Sequence, residues 1–138
     1  KRRSVAVWEP LRFRLTMAAV LVVDDQPDAG RTLVRLVRLS GHQAEWVSSG
    51  RDALEYVSGR VPDLIILDVH MPDMSGLDLL ATLRRDARTR HVPIIMFSAA
   101  SDPKTRQAAM NCGADDYWVK ASFEFDRLEQ QLEFFVGQ

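Results

Sequence analysis

Asp63-Leu64-Ile65-Ile66-Leu67-Asp68 decides the fold: four consecutive apolar residues stop at a carboxylate, and Pro62 stands in front of them. A run that short and unbroken, with no polar alternation, reads as a strand buried on both faces of a parallel sheet, expected here over Val61–Leu67. The design recurs upstream in Ala19-Val20-Leu21-Val22-Val23, followed by Asp24 and Asp25. Downstream, Pro93–Phe97 ends at Ser98 and Asp116–Val119 ends at Lys120. His42–Val47, closing on Trp46 and Val47, is a weaker strand.

Helical signals fill the intervals. Pro27 supplies the fixed φ of a first turn, Leu33, Leu36 and Val37 share a face, and Gly41 sits at the expected stop. Ser49 caps a helix over about Arg51–Val57, closed by Gly59. Ser75 stands three residues before Asp78 as a capping box for a helix striped by Leu77, Leu80, Ala81 and Leu83. Asp102-Pro103 opens a fourth helix that Gly113 closes, and a fifth is expected from about Ser122 to Val136, its packing face made by Phe125, Leu128, Leu132, Phe135 and Val136. Five strands alternating with five helices define an α/β fold, a doubly wound, mostly parallel sheet with helices on both faces.

Composition agrees. The chain has 138 residues, 46% apolar and 27% charged with a net charge of −1, which suits one globular domain and excludes disordered, collagen-like and repeat architectures. The longest apolar run, Met17–Val23, is far below the roughly 20 residues a membrane span requires. Cys112 is the single cysteine, so no internal disulfide or thiolate metal cluster forms, and a cytoplasmic location is expected. Residues 1–16 carry five basic side chains and one acidic. They read as a basic N-terminal extension (an expression remnant, an upstream translated stretch or a flexible arm) ahead of a domain over 17–138. Glu9, Arg12 and Arg14 interrupt any signal-peptide core. The remaining residues hold 13 basic and 18 acidic side chains, a net of −5 that argues against nucleic-acid binding by the main body.

Ligands of such folds sit beyond the carboxyl ends of the strands. Asp24, Asp25, Asp68, Ser98 and Lys120 all follow apolar runs, so they are expected to converge. Each pair of carboxylates ~4 Å apart would cost ~4 kcal/mol at an effective dielectric of ~20, so a counter-charge is required. Hard oxygen donors without a His or Cys cluster select Mg²⁺, with Mn²⁺ as the alternative ion. A lysine and a hydroxyl beside such an ion suit a phosphoryl group, and an aspartate can become an acyl phosphate, with Asp68 the best nucleophile.

These residues resemble the receiver domains of two-component response regulators, the CheY-like family. The resemblance covers about residues 19–136. It rests on Val22-Val23-Asp24-Asp25, on residues 63–76 from Asp63 through Asp68 to Gly76, on Pro93–Ala99, and on Gly113–Lys120. It implies a flavodoxin-like three-layer sandwich with strand order 2-1-3-4-5. It implies that Asp68 takes a phosphoryl group from a phosphohistidine on a sensor histidine kinase or histidine phosphotransfer protein. Mg²⁺ would bind Asp25, Asp68 and the backbone carbonyl of His70, with Asp24 acting through a water. Lys120 would pair with the carboxylate or phosphoryl oxygen. Ser98 would move onto the phosphoryl group, opening space into which the Tyr117 ring turns. The face made by the fourth helix, fifth strand and fifth helix would then change its affinity for a downstream protein or a second copy. Such a domain is a signalling switch that catalyses only its own phosphorylation and dephosphorylation.

One departure stands out: the family usually has proline after the lysine, in a cis peptide, whereas this chain has Ala121. Because a non-proline cis bond costs ~2.5–4 kcal/mol, a trans or strained Lys120–Ala121 bond is expected. The His70 side chain is read either as an influence on acyl-phosphate lifetime or as a solvated loop imidazole. Phe123, Phe134 and Trp118 mark a partner surface if exposed and ordinary packing if buried. The alternative function is a receiver-like interaction module that is never phosphorylated. An aspartate-nucleophile phosphatase is disfavoured, since such enzymes place Asp-x-Asp after the first strand. Nucleotide binding is disfavoured by the lack of a Gly-x-x-x-x-Gly-Lys loop.

Overall fold

The computed structural model describes residues 18–136, excluding the Phe125 side chain, so the reading of residues 1–16 lies outside the described residues. The elements are β1 (Ala19–Val23), α1 (Pro27–Leu39), β2 (Gln43–Val47), α2 (Gly50–Gly59), β3 (Leu64–Leu67), α3 (Gly76–Arg85), β4 (Ile94–Ser98), α4 (Pro103–Asn111), β5 (Asp116–Val119) and α5 (Phe125–Val136), with a 3₁₀ turn over Lys120–Ser122. The five strands form one parallel sheet in the order β2-β1-β3-β4-β5, as the resemblance implies.

Period-two alternation assigns the strand side chains to two cores. Leu21, Val23, Ile65, Leu67, Ile94 and Met96 face α2, α3 and α4. Val20, Val22, Leu64, Ile66, Ile95 and Phe97 face α1 and α5, where Leu33, Val37, Leu128 and Leu132 meet them. Both sheet faces are covered, which is why the strands read as unbroken apolar runs.

Local chemistry sets the element ends. Gly41 (φ +94°) and Gly113 (φ +106°) terminate α1 and α4 in a left-handed conformation that a side chain would strain. At each, the next two amides return to the last turn: Gly41 N–H to Arg38 and His42 N–H to Val37, Gly113 N–H to Met110 and Ala114 N–H to Ala109. The side chains of Ser49 and Asp102 accept the amides of Asp52 and Thr105.

Several expected boundaries shift. β3 starts at Leu64, because Pro62 has no amide to donate and the Asp63 carboxylate accepts the Ala19 N–H. β4 starts one residue after Pro93 and extends through Ser98. The Ser75 hydroxyl accepts the amide of Leu77 rather than that of Asp78, so it is a simple N-cap and not the reciprocal box expected. α5 begins at Phe125 rather than Ser122, because the chain after β5 first winds through the 3₁₀ turn.

Candidate functional site: an acid cluster at the strand ends

Parallel strands carry their last residues to one rim of the sheet. Register pairs Val23 with Val47 and with Leu67, and Ser98 with Val119, so the residues after β1 and β3 and those closing β4 and β5 meet there. Carboxylate oxygens of Asp24, Asp25 and Asp68 all lie within 4.8 Å of one another. Asp24 and Asp68 are buried, at 2% and 6% exposure, and Asp25 is half-buried.

Asp24 is fixed at four points. Its amide donates to the Val47 carbonyl (3.1 Å), its own carbonyl accepts the Trp46 indole N–H (2.7 Å), one carboxylate oxygen accepts the Gln26 amide (2.9 Å), and the other takes the Lys120 ammonium (2.7 Å). Lys120 Nζ also reaches Asp68 at 3.3 Å. One ammonium therefore bridges two buried acids, the counter-charge that the sequence requires. Burial works against the charge of Lys120, but the two carboxylates outweigh it and hold its pKa above the ordinary lysine value. Burial pushes the Asp68 carboxyl up. The Asp24 charge adds to that rise, and Lys120 and the His70 amide offset it only in part.

Three carboxylates against one ammonium leave the cluster short of positive charge, and all the donors are oxygens. These residues fit a hard divalent cation.

Ser98 is fully buried, and its Oγ accepts the Ala100 amide at 3.2 Å. The Tyr117 ring is already buried, its hydroxyl donating to the Ala100 carbonyl at 2.7 Å, with Ser98 in hydrogen-bonding reach and the Arg106 guanidinium 5.2 Å over the ring. Burial raises the phenol above its ordinary pKa. His70 is exposed, on the same loop as Asp68 and close enough to Asp102 to act on its charge. The Lys120–Ala121 peptide is trans.

Three residues support the site: Gly76 reads from the sequence as helix-entry geometry, and Trp46 and Asp73 carry no role there. Trp46 is buttressed by Gly30, where any Cβ would run into the indole, so its N–H is aimed at the Asp24 carbonyl. Asp73 accepts the amides of Gly50 (3.1 Å) and Arg51 (2.8 Å), tying the loop after Asp68 to the start of α2. Gly76 passes so close to Asp68 that a Cβ would overlap the Asp68 carbonyl oxygen, and its amide donates to Val69 at 2.6 Å. A polar-headed aromatic at a strand end and a glycine entering a helix were the available signals.

Trp118 is buried among Phe97 and Phe123, with its indole N–H on Asp116, and Phe123 is half-buried, so both belong to packing. Phe134 is 65% exposed. Cys112 is a half-buried residue at the end of α4, packed against the core. His42 accepts the Ala18 amide through Nδ1, and His91 is exposed.

A sheet of this order with an acid cluster and a lysine at its carboxyl rim defines a class of doubly wound α/β domains with a charged site beyond the strand ends. The sequence model of the response regulator receiver domain matches residues 20–133, and the chain belongs to that family. The transcriptional regulatory protein PrrA of Mycobacterium bovis is 40% identical over 106 residues, 77% of this chain and 45% of PrrA. KdpE of Mycobacterium tuberculosis is 39% identical over 104 residues, 75% of this chain and 45% of KdpE. The chain thus spans about half the length of the curated relatives it matches. Among solved structures, the receiver domain of a signal transduction histidine kinase from Syntrophus aciditrophicus superposes with a TM-score of 0.79 at 33% identity, covering 86% of this chain and 89% of that one. Chemotaxis protein CheY4 of Vibrio cholerae gives 0.80 at 29% identity, covering 86% and 98%.

Proposed function

We propose that this domain is a phosphorylation-operated switch in two-component signalling, with Asp68 as the phosphoacceptor. The observation that carries this reading is the Lys120 ammonium shared between Asp68 and Asp24 beside an oxygen-only acid cluster. An Asp68 carboxylate oxygen attacks the phosphorus of a phosphohistidine on a sensor histidine kinase or histidine phosphotransfer protein. The bond from phosphorus to the imidazole nitrogen breaks, an acyl phosphate forms, and the protonated imidazole leaves neutral. Asp25, Asp68 and the His70 carbonyl would hold Mg²⁺, with Asp24 acting through a water, and the ion would supply positive charge to the transferring group.

Within the chain, Lys120 keeps its charge and moves from the carboxylate to a phosphoryl oxygen, while the Ser98 hydroxyl donates to another. Those contacts exist only with the phosphoryl group in place, so they bias the β4–α4 loop, where Ser98 and the Tyr117 hydroxyl both meet Ala100. The α4–β5–α5 face then presents an altered surface to a downstream protein or a second copy. The domain catalyses only its own phosphorylation and dephosphorylation.

Incubation with Mg²⁺ and acetyl phosphate, followed by intact mass measurement, tests the reading. One added phosphoryl group, lost in Asp68→Asn and in chelator, is the expected result. No mass gain, or a gain that survives Asp68→Asn, overturns it in favour of an interaction module that is never phosphorylated at this site.

A further inference from the structure

A groove of about 700 Å³ runs between α1 and the sheet edge at β2, lined by Arg31, Arg35, Arg38 and Leu39 from the helix and by Glu45 and Trp46 from the strand. The three arginines stand at i, i+4 and i+7, one exposed stripe covering roughly 10 Å of helix. Two of them are held in place without being neutralised. The Arg31 guanidinium lies 5.5 Å over the Trp46 ring, and Arg38 donates to the Ala44 carbonyl at 2.8 Å. No ion pair among the described residues engages any of the three. Leu39, 72% exposed, ends the stripe.

This stripe lies on a body whose residues 17–138 carry a net charge of −5. The general field would draw a cation, whereas this groove offers three exposed guanidinium groups, two of them held in place, which suit carboxylates. We propose that the α1–β2 groove docks an acidic peptide segment of a protein partner, with its carboxylates on Arg31, Arg35 and Arg38 and an apolar side chain against Leu39 and Trp46. A peptide fits better than a nucleic acid. A peptide can space its carboxylates to meet the arginines clear of Glu45 and place an apolar side chain on Leu39, whereas a nucleic acid carries an unbroken phosphate chain past Glu45. The groove uses none of Asp25, Asp68, Ser98 or Lys120, so the proposal does not rest on the phosphoacceptor reading.

Fluorescence anisotropy with the full chain at physiological ionic strength tests it. The probes are a short fluorescein-labelled peptide of glutamate and leucine, the same peptide with glutamine for glutamate, and a single-stranded oligodeoxynucleotide of equal length. The glutamate peptide binds, Arg35→Glu weakens it about tenfold, Leu39→Ser weakens it about threefold, and Arg85→Glu on α3 changes it by less than about twofold. Circular dichroism melting verifies that each variant is folded. Asp68→Asn leaves the affinity unchanged, so loss of phosphorylation and loss of docking are separable. Equal weakening by Arg85→Glu, equal binding of the glutamine peptide, tighter binding of the oligonucleotide, or no binding of the glutamate peptide overturns the proposal.

Discussion

At the residue scale, the acid cluster is held in a costly arrangement. Lys120 is the only ammonium within salt-bridge distance of Asp24 and Asp68 among the described residues, so Lys120→Met leaves two buried carboxylates facing each other without it. Urea unfolding in chelator is expected to show a loss of about 2 kcal/mol, largely restored in Lys120→Met/Asp24→Asn, where one of the repelling charges is gone. Asp68→Asn is expected to act in the opposite direction. Burial raises the folded-state pKa of Asp68, so its contribution to stability is complete below the ordinary carboxylate value near 3.8 and is lost as pH rises through the folded value. At neutral pH without divalent ions the Asn variant therefore melts several degrees higher, on the order of 1 kcal/mol, and the gap closes toward pH ~4. A gap that widens on acidification contradicts the assignment. His70 is the remaining variable beside Asp68. Phosphate release timed in His70→Ala against wild type decides between its two readings, and a several-fold change in half-life is the outcome that gives the imidazole a role.

At the element scale, the loops after β1 and β3 are fixed by contacts that replace regular secondary structure. Trp46→Phe removes the indole N–H from the Asp24 carbonyl together with the part of the ring that lies against Gly30. The expected cost is about 1 kcal/mol by urea unfolding, accompanied by weaker Mg²⁺ binding, because an acid that shares a cation must be held in register. Much of this scale was legible in the sequence. β1 and β5 run Ala19–Val23 and Asp116–Val119 as read, since apolar runs ending at polar residues leave little freedom. The convergence of Asp24, Asp25, Asp68 and Lys120 followed from parallel topology alone. The start of α5 was not legible, because Lys120-Ala121-Ser122 carries no breaker and the 3₁₀ turn depends on where the chain leaves β5. Nor was the Trp46 to Asp24 bond, which joins residues 22 apart through sheet register rather than through any local pattern. The inward Tyr117 ring is likewise a tertiary outcome, fixed by the Ala100 carbonyl and by Arg106.

At the scale of the whole molecule, residues distant in sequence are joined on the side of the sheet away from α1 and α5. Arg84, at the end of α3, donates to the carbonyls of Gly113 (2.9 Å), Arg90 (3.1 Å) and Val92 (2.7 Å), and pairs with Asp115 at 2.8 Å. Asp115 in turn accepts the Ile94 amide at 2.8 Å. One guanidinium thus links the end of α3, the entry to β4 and the turn before β5, using the multiple donors that only arginine provides. The partly buried carbonyls of Gly113 and Val92 lose their donor if it is removed, so Arg84→Met is expected to cost about 3 kcal/mol, more than an exposed ion pair could account for. Arg84→Lys recovers only part of that, because a single ammonium cannot span the same carbonyls, and Asp115→Asn costs less because its amide oxygen still accepts from Ile94. Urea denaturation of the three variants checks the order, Arg84→Met lowest, then Arg84→Lys, then Asp115→Asn, at an unchanged m-value. The same joint anchors the entries to β4 and β5, the strands that carry Ser98 and Lys120 to the rim. Arg84→Lys is therefore also expected to slow acetyl-phosphate labelling of Asp68 several-fold while the domain remains folded. Labelling at the wild-type rate would show that the rim tolerates a loosened base.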